Sequence, residues 1–403
     1  KELPPQRVVK RYLPYDELPS LKGKKVAIIV GSHTKWTASQ TKAVDSFCKL
    51  YNSAVFCDHT SGYNGEYRVQ YSLIGCQEQF VNNLGTLDVL IHIGEVSGDY
   101  FTTIGKFIVS QVWRISEDGE VQDTFRKLRG LFEMREEDFF NHYVSLGSET
   151  DDRYYHNCAD TYSLLYEKLN RQKLPFSNIW MASQMAHQIP QKSIVHFSIL
   201  SSLRSWNFFK MPSSVESYCN VGGFGIDGCM SSMLGASLVN KEKLYFGVIG
   251  DLAFFYDMNA MGNRHIGNNV RILLVNNGVG MEFKLFCYPG SKLGKDTDPY
   301  IAAEGHYGKK SHTLVQHYAQ DLGFEYISAS NKEEFEQHID KFLSTEPTSK
   351  SLLFEVFTTP EDENKALEMI CNIEKNTLGV IKKISKSILN ERFQSRIRKM
   401  LKS

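Results

Sequence analysis

Residues 250–280, GDLAFFYDMNAMGNRHIGNNVRILLVNNGVG, decide how this chain folds. The apolar run before them, 244–249 (LYFGVI), reads as a buried parallel strand that delivers Gly250 and Asp251 at its carboxyl end. A helical segment is expected over 256–265. A second apolar strand, 270–275 (VRILLV), then ends on Asn276-Asn277 and the flexible Gly278-Val279-Gly280. This is a βαβ unit, and its two strand ends should lie side by side at one edge of a sheet. One end carries a carboxylate and the other an amide oxygen, hard donors of the kind Mg²⁺ takes together with phosphate oxygens and water. The glycines beside each donor let backbone N–H groups approach a phosphate closely.

Outward from this unit, the pattern is α/β: two doubly wound parallel-sheet domains followed by a C-terminal helix. The chain has 403 residues, enough for two or three domains. Its net charge is zero, which gives no global field toward nucleic acid or anionic membranes. A hydrophobic content of 42% argues against disorder. Eight cysteines occur without CxxC or Cys/His ligand spacing and read as reduced thiols. No apolar run reaches transmembrane length and no signal-peptide pattern is present, so a cytoplasmic protein is expected.

The first residue is Lys1, and 3–19 is Pro-rich and irregular, so 1–19 reads as a linker with further sequence expected upstream. The first α/β domain, 20–145, carries strands at 24–31, 54–58, 87–94 and 111–115, with helices at 36–50 and 72–84. Its loop Val30-Gly31-Ser32-His33 lacks a GxGxxG pattern, which favours an architectural role. A connector, 146–174, is helical near 162–169. Its Asp151, Asp152, His156, Cys158 and Asp160 have no regular ligand spacing and read as a solvated linker.

The second domain, 175–360, opens with a helix at 181–188 and a strand at 193–197, and Ser198 should cap a helix over 198–206. A short strand at 217–219 enters the glycine-rich loop 220–228, with a helix behind it at 229–239. Asp227 reads as a helix-terminus carboxylate rather than a catalytic acid. Residues 281–310 read as a lid, in which His306 and Tyr307 are either proton-handling groups or incidental surface residues. Helices at 311–322 and 333–343 and strands at 323–327 and 352–358 complete the sheet. The helical tail 361–403 includes a basic amphipathic stretch, 378–401. It either lies on an anionic membrane or packs on its own domain or a partner, and packing is the preferred reading.

The wording GDLxxxYDxNA from Gly250, the Asn276-Asn277 pair after a fixed crossover, and NVGGFGIDG at 220–228 together carry a resemblance. They resemble the signature of thiamine diphosphate (ThDP) enzymes of the decarboxylase and acetolactate synthase superfamily. In finer detail they resemble the menaquinone-pathway SEPHCHC synthases. The resemblance implies a ThDP-enzyme middle domain and a diphosphate-binding domain, with ThDP and Mg²⁺ as cofactors. It implies that Asp251, the Asn277 side chain and the Val279 carbonyl bind the metal, with Leu252 and Ala253 offering N–H groups. It places Ile226 beneath the thiazolium and adds Ser198, Gly225, Gly250 and Gly280 to the cofactor contacts.

Several departures from the family wording are visible. His196-Phe197 stand where the family has Gly-Asn, Ala253 stands where it has Ser, and Gly278 falls one position early. Two carboxylate-clamping arginines of the family fall on Val221 and Ser202, with Arg204 two residues on. The implied chemistry is decarboxylation of a 2-oxo acid, with release of the aldehyde-level fragment or its transfer to an acceptor smaller or less acidic than isochorismate, which implies a relative of the SEPHCHC synthases rather than such a synthase itself. The family's activating glutamate belongs to a pyrimidine-binding domain that these residues do not include, so the catalytic acid is unknown from sequence. A fragment, or a chain partnered by a separate pyrimidine-binding domain in a homodimer or tetramer, is expected. A non-catalytic ThDP-fold binding subunit is the alternative.

Overall fold

The computed structural model describes residues 7–77, 84–99, 107–148, 150–300, 311–346 and 348–374. Two sheets organise it, and every strand pair in both is parallel. The first comprises β1 (Lys10–Tyr12), β2 (Val26–Val30), β3 (Val55–Cys57), β4 (Arg68–Gln70), β5 (Leu87–Ile93), β6 (Val109–Ile115) and β7 (Leu128–Phe132), in the order β1-β7-β6-β5-β2-β3-β4. The second comprises β8 (Ile194–Phe197), β9 (Glu216–Cys219), β10 (Tyr245–Gly250), β11 (Val270–Asn276), β12 (Glu325–Ala329) and β13 (Leu352–Phe357), in the order β12-β13-β11-β10-β8-β9.

The central strands explain the arrangement. β2 and β11 are buried along their whole length, as strands covered by helices on both faces must be. Their β-branched and leucine-rich runs leave no polar face to give to water. The helix Ala38–Tyr51 starts on a capping box, in which Thr37 Oγ1 accepts from the Gln40 N–H and Gln40 Oε1 accepts from the Thr37 N–H. It buries Ala43, Val44, Phe47 and Cys48 against the first sheet, and Asn52 ends it with a left-handed φ of 48°. Close backbone approach decides Gly31, where a Cβ would sit 1.7 Å from the Glu95 carbonyl oxygen.

One core joins the two sheets. Ala27 and Ile29 from β2, Leu165 and Leu169 from the helix Arg153–Asn170, and Leu273 from β11 belong to a single buried cluster.

Several expectations need correction. The stretch read as irregular contains β1, which pairs with β7 along the edge of the first sheet. The helix expected over 72–84 is a single turn, Ser72–Gly75, and residues 78–83 lie outside the described residues. The helix after Gly250 begins at once, Asp251–Asp257, and runs into a 3₁₀ turn, Met258–Gly262, rather than starting near residue 256. The basic stretch 378–401 lies outside the described residues, as do His306 and Tyr307. Among the described residues, no helix is long and apolar enough to cross a membrane.

Candidate cofactor cleft

β10 and β11 are neighbours in register, Gly250 opposite Val275, so Asp251 emerges beside the Asn276-Asn277 turn. The Asp251 carboxylate joins the two strand ends. Its Oδ1 accepts from the Leu252 N–H (2.7 Å), and its Oδ2 accepts from the N–H groups of Asn277 (3.1 Å) and Gly278 (2.6 Å). Gly278 adopts a φ of 75°, which turns the chain tightly enough for both N–H groups to face one oxygen. Asn277 Oδ1 accepts from the Val279 N–H (3.1 Å), while Asn276 Oδ1 accepts from the Gly278 N–H (3.2 Å) and its Nδ2 donates to Glu355 (2.8 Å).

Asp251 is 5% exposed, and its partners are backbone N–H groups rather than a lysine, arginine or histidine side chain. Burial pushes its pKa up to about 7; the three N–H groups pull it down, and the Glu355 charge pushes it further up. A buried carboxylate with no cationic side-chain partner among the described residues, beside an amide oxygen and a tight backbone turn, suits a hard divalent cation.

These residues line a cleft of about 340 Å³. Ser198, Ile226, Gly250, Asp251, Leu252, Ala253, Asn277, Val279 and Gly280 all contribute to its wall. Gly225 does not; a Cβ there would meet the Asp227 carboxylate, 2.3 Å away. Ser198 lines the cleft but caps no helix. The helix is Ser201–Asn207, and its N-cap, Leu200, holds a left-handed φ of 67° that leaves no capping geometry for Ser198. Ser198 Oγ instead donates to Ser202 Oγ at 2.8 Å.

Asp227 directly precedes Gly228, the N-cap of the helix Cys229–Ser237, which has no side-chain cap of its own. Asp257 serves it from the helix after β10, accepting from the Ser231 N–H (2.7 Å) and Ser231 Oγ (2.9 Å).

The cleft also holds groups that the motif reading passed over. Arg204, 2% exposed, donates through both terminal nitrogens to the two oxygens of Glu282, at 3.0 Å each, and through Nε to Asp99 at 3.3 Å. Burial works against its charge, yet the two carboxylates raise its pKa. Glu282 opens the segment read as a lid, and Met281, Glu282, Phe283 and Leu285 line the cleft.

Glu363 is the other. It sits in the first turn of the helix Pro360–Cys371, where EDE looks like ordinary macrodipole compensation. The spacing Glu363, Ala366, Leu367, Ile370 was the available signal, because it puts Glu363 on the buried face. Its Oε1 accepts from the Asn178 N–H (2.9 Å) and Thr358 Oγ1 (2.8 Å).

Burial pushes the Glu363 pKa up to about 7, its two hydrogen bonds oppose this, and the Asp251 charge adds to it. Below the ordinary glutamate pKa, folded and unfolded chains both hold this proton, and the stability it confers is fully present. As pH rises to about 7, the unfolded chain releases the proton first, so that stability is lost. Urea unfolding at pH 4.5 and pH 8 is expected to show wild type losing on the order of 3 kcal/mol more than Glu363→Gln. Equal losses in the two proteins would refute a buried protonated Glu363.

The cysteines and histidines of the connector do not converge. Cys158 is buried in the core, whereas His156 is exposed and faces Asp152 at 3.1 Å. Among the described residues, no cluster of His, Cys, Asp and Glu suits a metal ion.

Curated proteins named 2-succinyl-5-enolpyruvyl-6-hydroxy-3-cyclohexene-1-carboxylate synthase are similar to this chain. The Phocaeicola vulgatus protein is 32% identical over 259 residues, 63% of this chain and 43% of its own length. The Bacteroides fragilis protein is 30% identical over 257 residues, 64% of this chain and 44% of its own. The Flavobacterium johnsoniae protein is 24% identical over 372 residues, 87% of this chain and 63% of its own. The chain is a homologue of these synthases. This synthase homologue spans about half the length of the curated relatives it matches. No protein-family profile matches it.

Proposed function

We propose that the chain binds ThDP and Mg²⁺ in the Asp251 cleft. It would form the cofactor-binding part of an enzyme that decarboxylates a 2-oxo acid and releases or transfers the aldehyde-level fragment. The observation that carries this reading is the Asp251 carboxylate itself, buried at two adjacent strand ends and, among the described residues, held by backbone N–H groups rather than a cation. Asp251, the Asn277 amide oxygen and the Val279 carbonyl would hold the metal. The Leu252 and Ala253 backbone, with Gly250 and Gly280, would flank the diphosphate, and Ile226 and Ser198 would bear on the rest of the cofactor.

When bound, ThDP supplies a ring that stores the electron pair left as CO₂ departs. The chain's own side chains set the conditions around it. Met281, Leu285 and Leu367 give the cleft an apolar wall that keeps water off. Glu363 holds a proton on its carboxyl up to about pH 7 beside the same cleft. Arg204, the one cation among the described lining residues, is already engaged by Glu282 and Asp99. That engagement, with Val221 and Ser202 in place of arginines, supports an acceptor with fewer carboxylates than isochorismate-type substrates carry. The activating glutamate would come from a pyrimidine-binding domain, in the same polypeptide or across a homodimer or tetramer.

Calorimetric titration of ThDP into the chain, with and without Mg²⁺, tests the reading. Mg²⁺-dependent binding is expected, followed by CO₂ release from a 2-oxo acid once a pyrimidine-binding domain is supplied. An absence of ThDP heat at millimolar Mg²⁺ overturns it.

A further inference from the structure

A second cleft, of about 550 Å³, lies where the first sheet meets the segment leading into β9. It shares no lining residue with the Asp251 cleft. Its walls come from the loops after β2 and β3, from β4, from the helix Arg153–Asn170 and from residues 210–218. A site outside the carboxyl ends of parallel strands, within the volume range of small-molecule pockets, is where an open α/β sheet receives a ligand.

The charges in this cleft do not balance locally. Arg68 donates to four neutral acceptors: the Tyr63 carbonyl and Asn64 Oδ1 at 2.7 Å each, and the Asp58 carbonyl and Gln70 Oε1 at 3.2 Å each. Lys210 lies over the rings of Tyr162 (5.4 Å) and Tyr166 (4.8 Å). Neither cation has a carboxylate partner among the described residues, whereas Lys35, on the same cleft, is paired with Glu216 at 3.3 Å. Tyr162 also lines the cleft and is 7% exposed.

The walls also have a fixed aromatic component. The Trp36 indole N–H donates to the Ser61 carbonyl at 2.9 Å, and its ring rests on His33 at 4.7 Å and on the edge of Tyr63 at 5.3 Å. That bracing holds one flat apolar surface beside two uncompensated cations.

We propose that this cleft binds a small organic anion, with its phosphate or carboxylate facing Lys210 and Arg68 and its body against Trp36. Thermal melts with inorganic phosphate, and separately with benzoate, each against chloride at matched ionic strength, test it. At least one probe should raise Tm, and the one that does identifies the head group. In Lys210→Met the half-saturating concentration should rise about tenfold, the loss expected for one charge-assisted hydrogen bond. The proposal fails if neither probe exceeds chloride, or if Lys210→Met responds to the probe as wild type does.

Discussion

Replacing Arg204 with methionine is expected to cost about 3–5 kcal/mol of folding free energy, the range seen when one partner of a buried ion pair is removed. The guanidinium is 2% exposed and holds Asp99, which is fully buried, and Glu282, which is partly buried. Methionine fills much of the same volume, so the loss reports on charge rather than on a cavity. Glu282→Gln keeps an acceptor for the guanidinium and should cost far less, since Glu282 has a route to water that Asp99 lacks. Urea unfolding at constant m-value measures both. A loss below about 1 kcal/mol in Arg204→Met would mean that the cluster is not desolvated as described.

Asp251→Ala should weaken Mg²⁺-dependent ThDP binding by at least about 100-fold, beyond the ~10–100-fold that loss of an outer partner of a metal ligand costs. Two losses combine in this variant. The hard anionic donor disappears, and the N–H groups of Leu252, Asn277 and Gly278 lose the acceptor that fixes the turn between β10 and β11. Asp251→Asn separates the two effects, because its amide oxygen can still accept from the Asn277 and Gly278 N–H groups while the charge is gone and only the Leu252 N–H loses its acceptor. Calorimetry should therefore show Asn close to Ala in affinity, and urea unfolding should show Asn more stable than Ala. Binding within tenfold of wild type in both variants would remove Asp251 from the cofactor site.

The parts of this fold that were legible in the sequence are those in which one physical cause dominates. Strands such as β2, β10 and β11 are covered on both faces, so burial alone writes a continuous apolar run into them. The three-residue edge strands β1 (KRY) and β4 (RVQ) are half polar and exist only through pairing with β7 and β3, which no local pattern announces. Gly250 provides no side-chain cap, so the helix start at Asp251 had no local marker. A second carboxylate at the terminus of the helix Cys229–Ser237 went unread for a related reason. The carboxylate that meets Ser231 comes from Asp257, 26 residues away, and only the packing of two helices brings it there.

The site was legible where donors sit at strand ends, because topology fixes strand ends. Asp251 and Asn277 needed only parallel pairing to meet. Arg204, Glu282 and Asp99 come from a helix, a post-strand turn and a loop of the first half of the chain, so their meeting depends on how the two halves dock. Glu363 lay on a readable helical stripe, but a carboxylate at the start of a helix already has a sufficient electrostatic explanation on the surface.

The core that runs from β2 through Leu165 and Leu169 to β11 ties the two sheets together through shared buried surface. A boundary drawn between them in sequence would cut through shared buried surface, and each piece would present to water the face it now hides in the other. The chain should therefore melt in one step, and an enzyme lineage that rearranges its parts would have to move these two sheets as a single cassette.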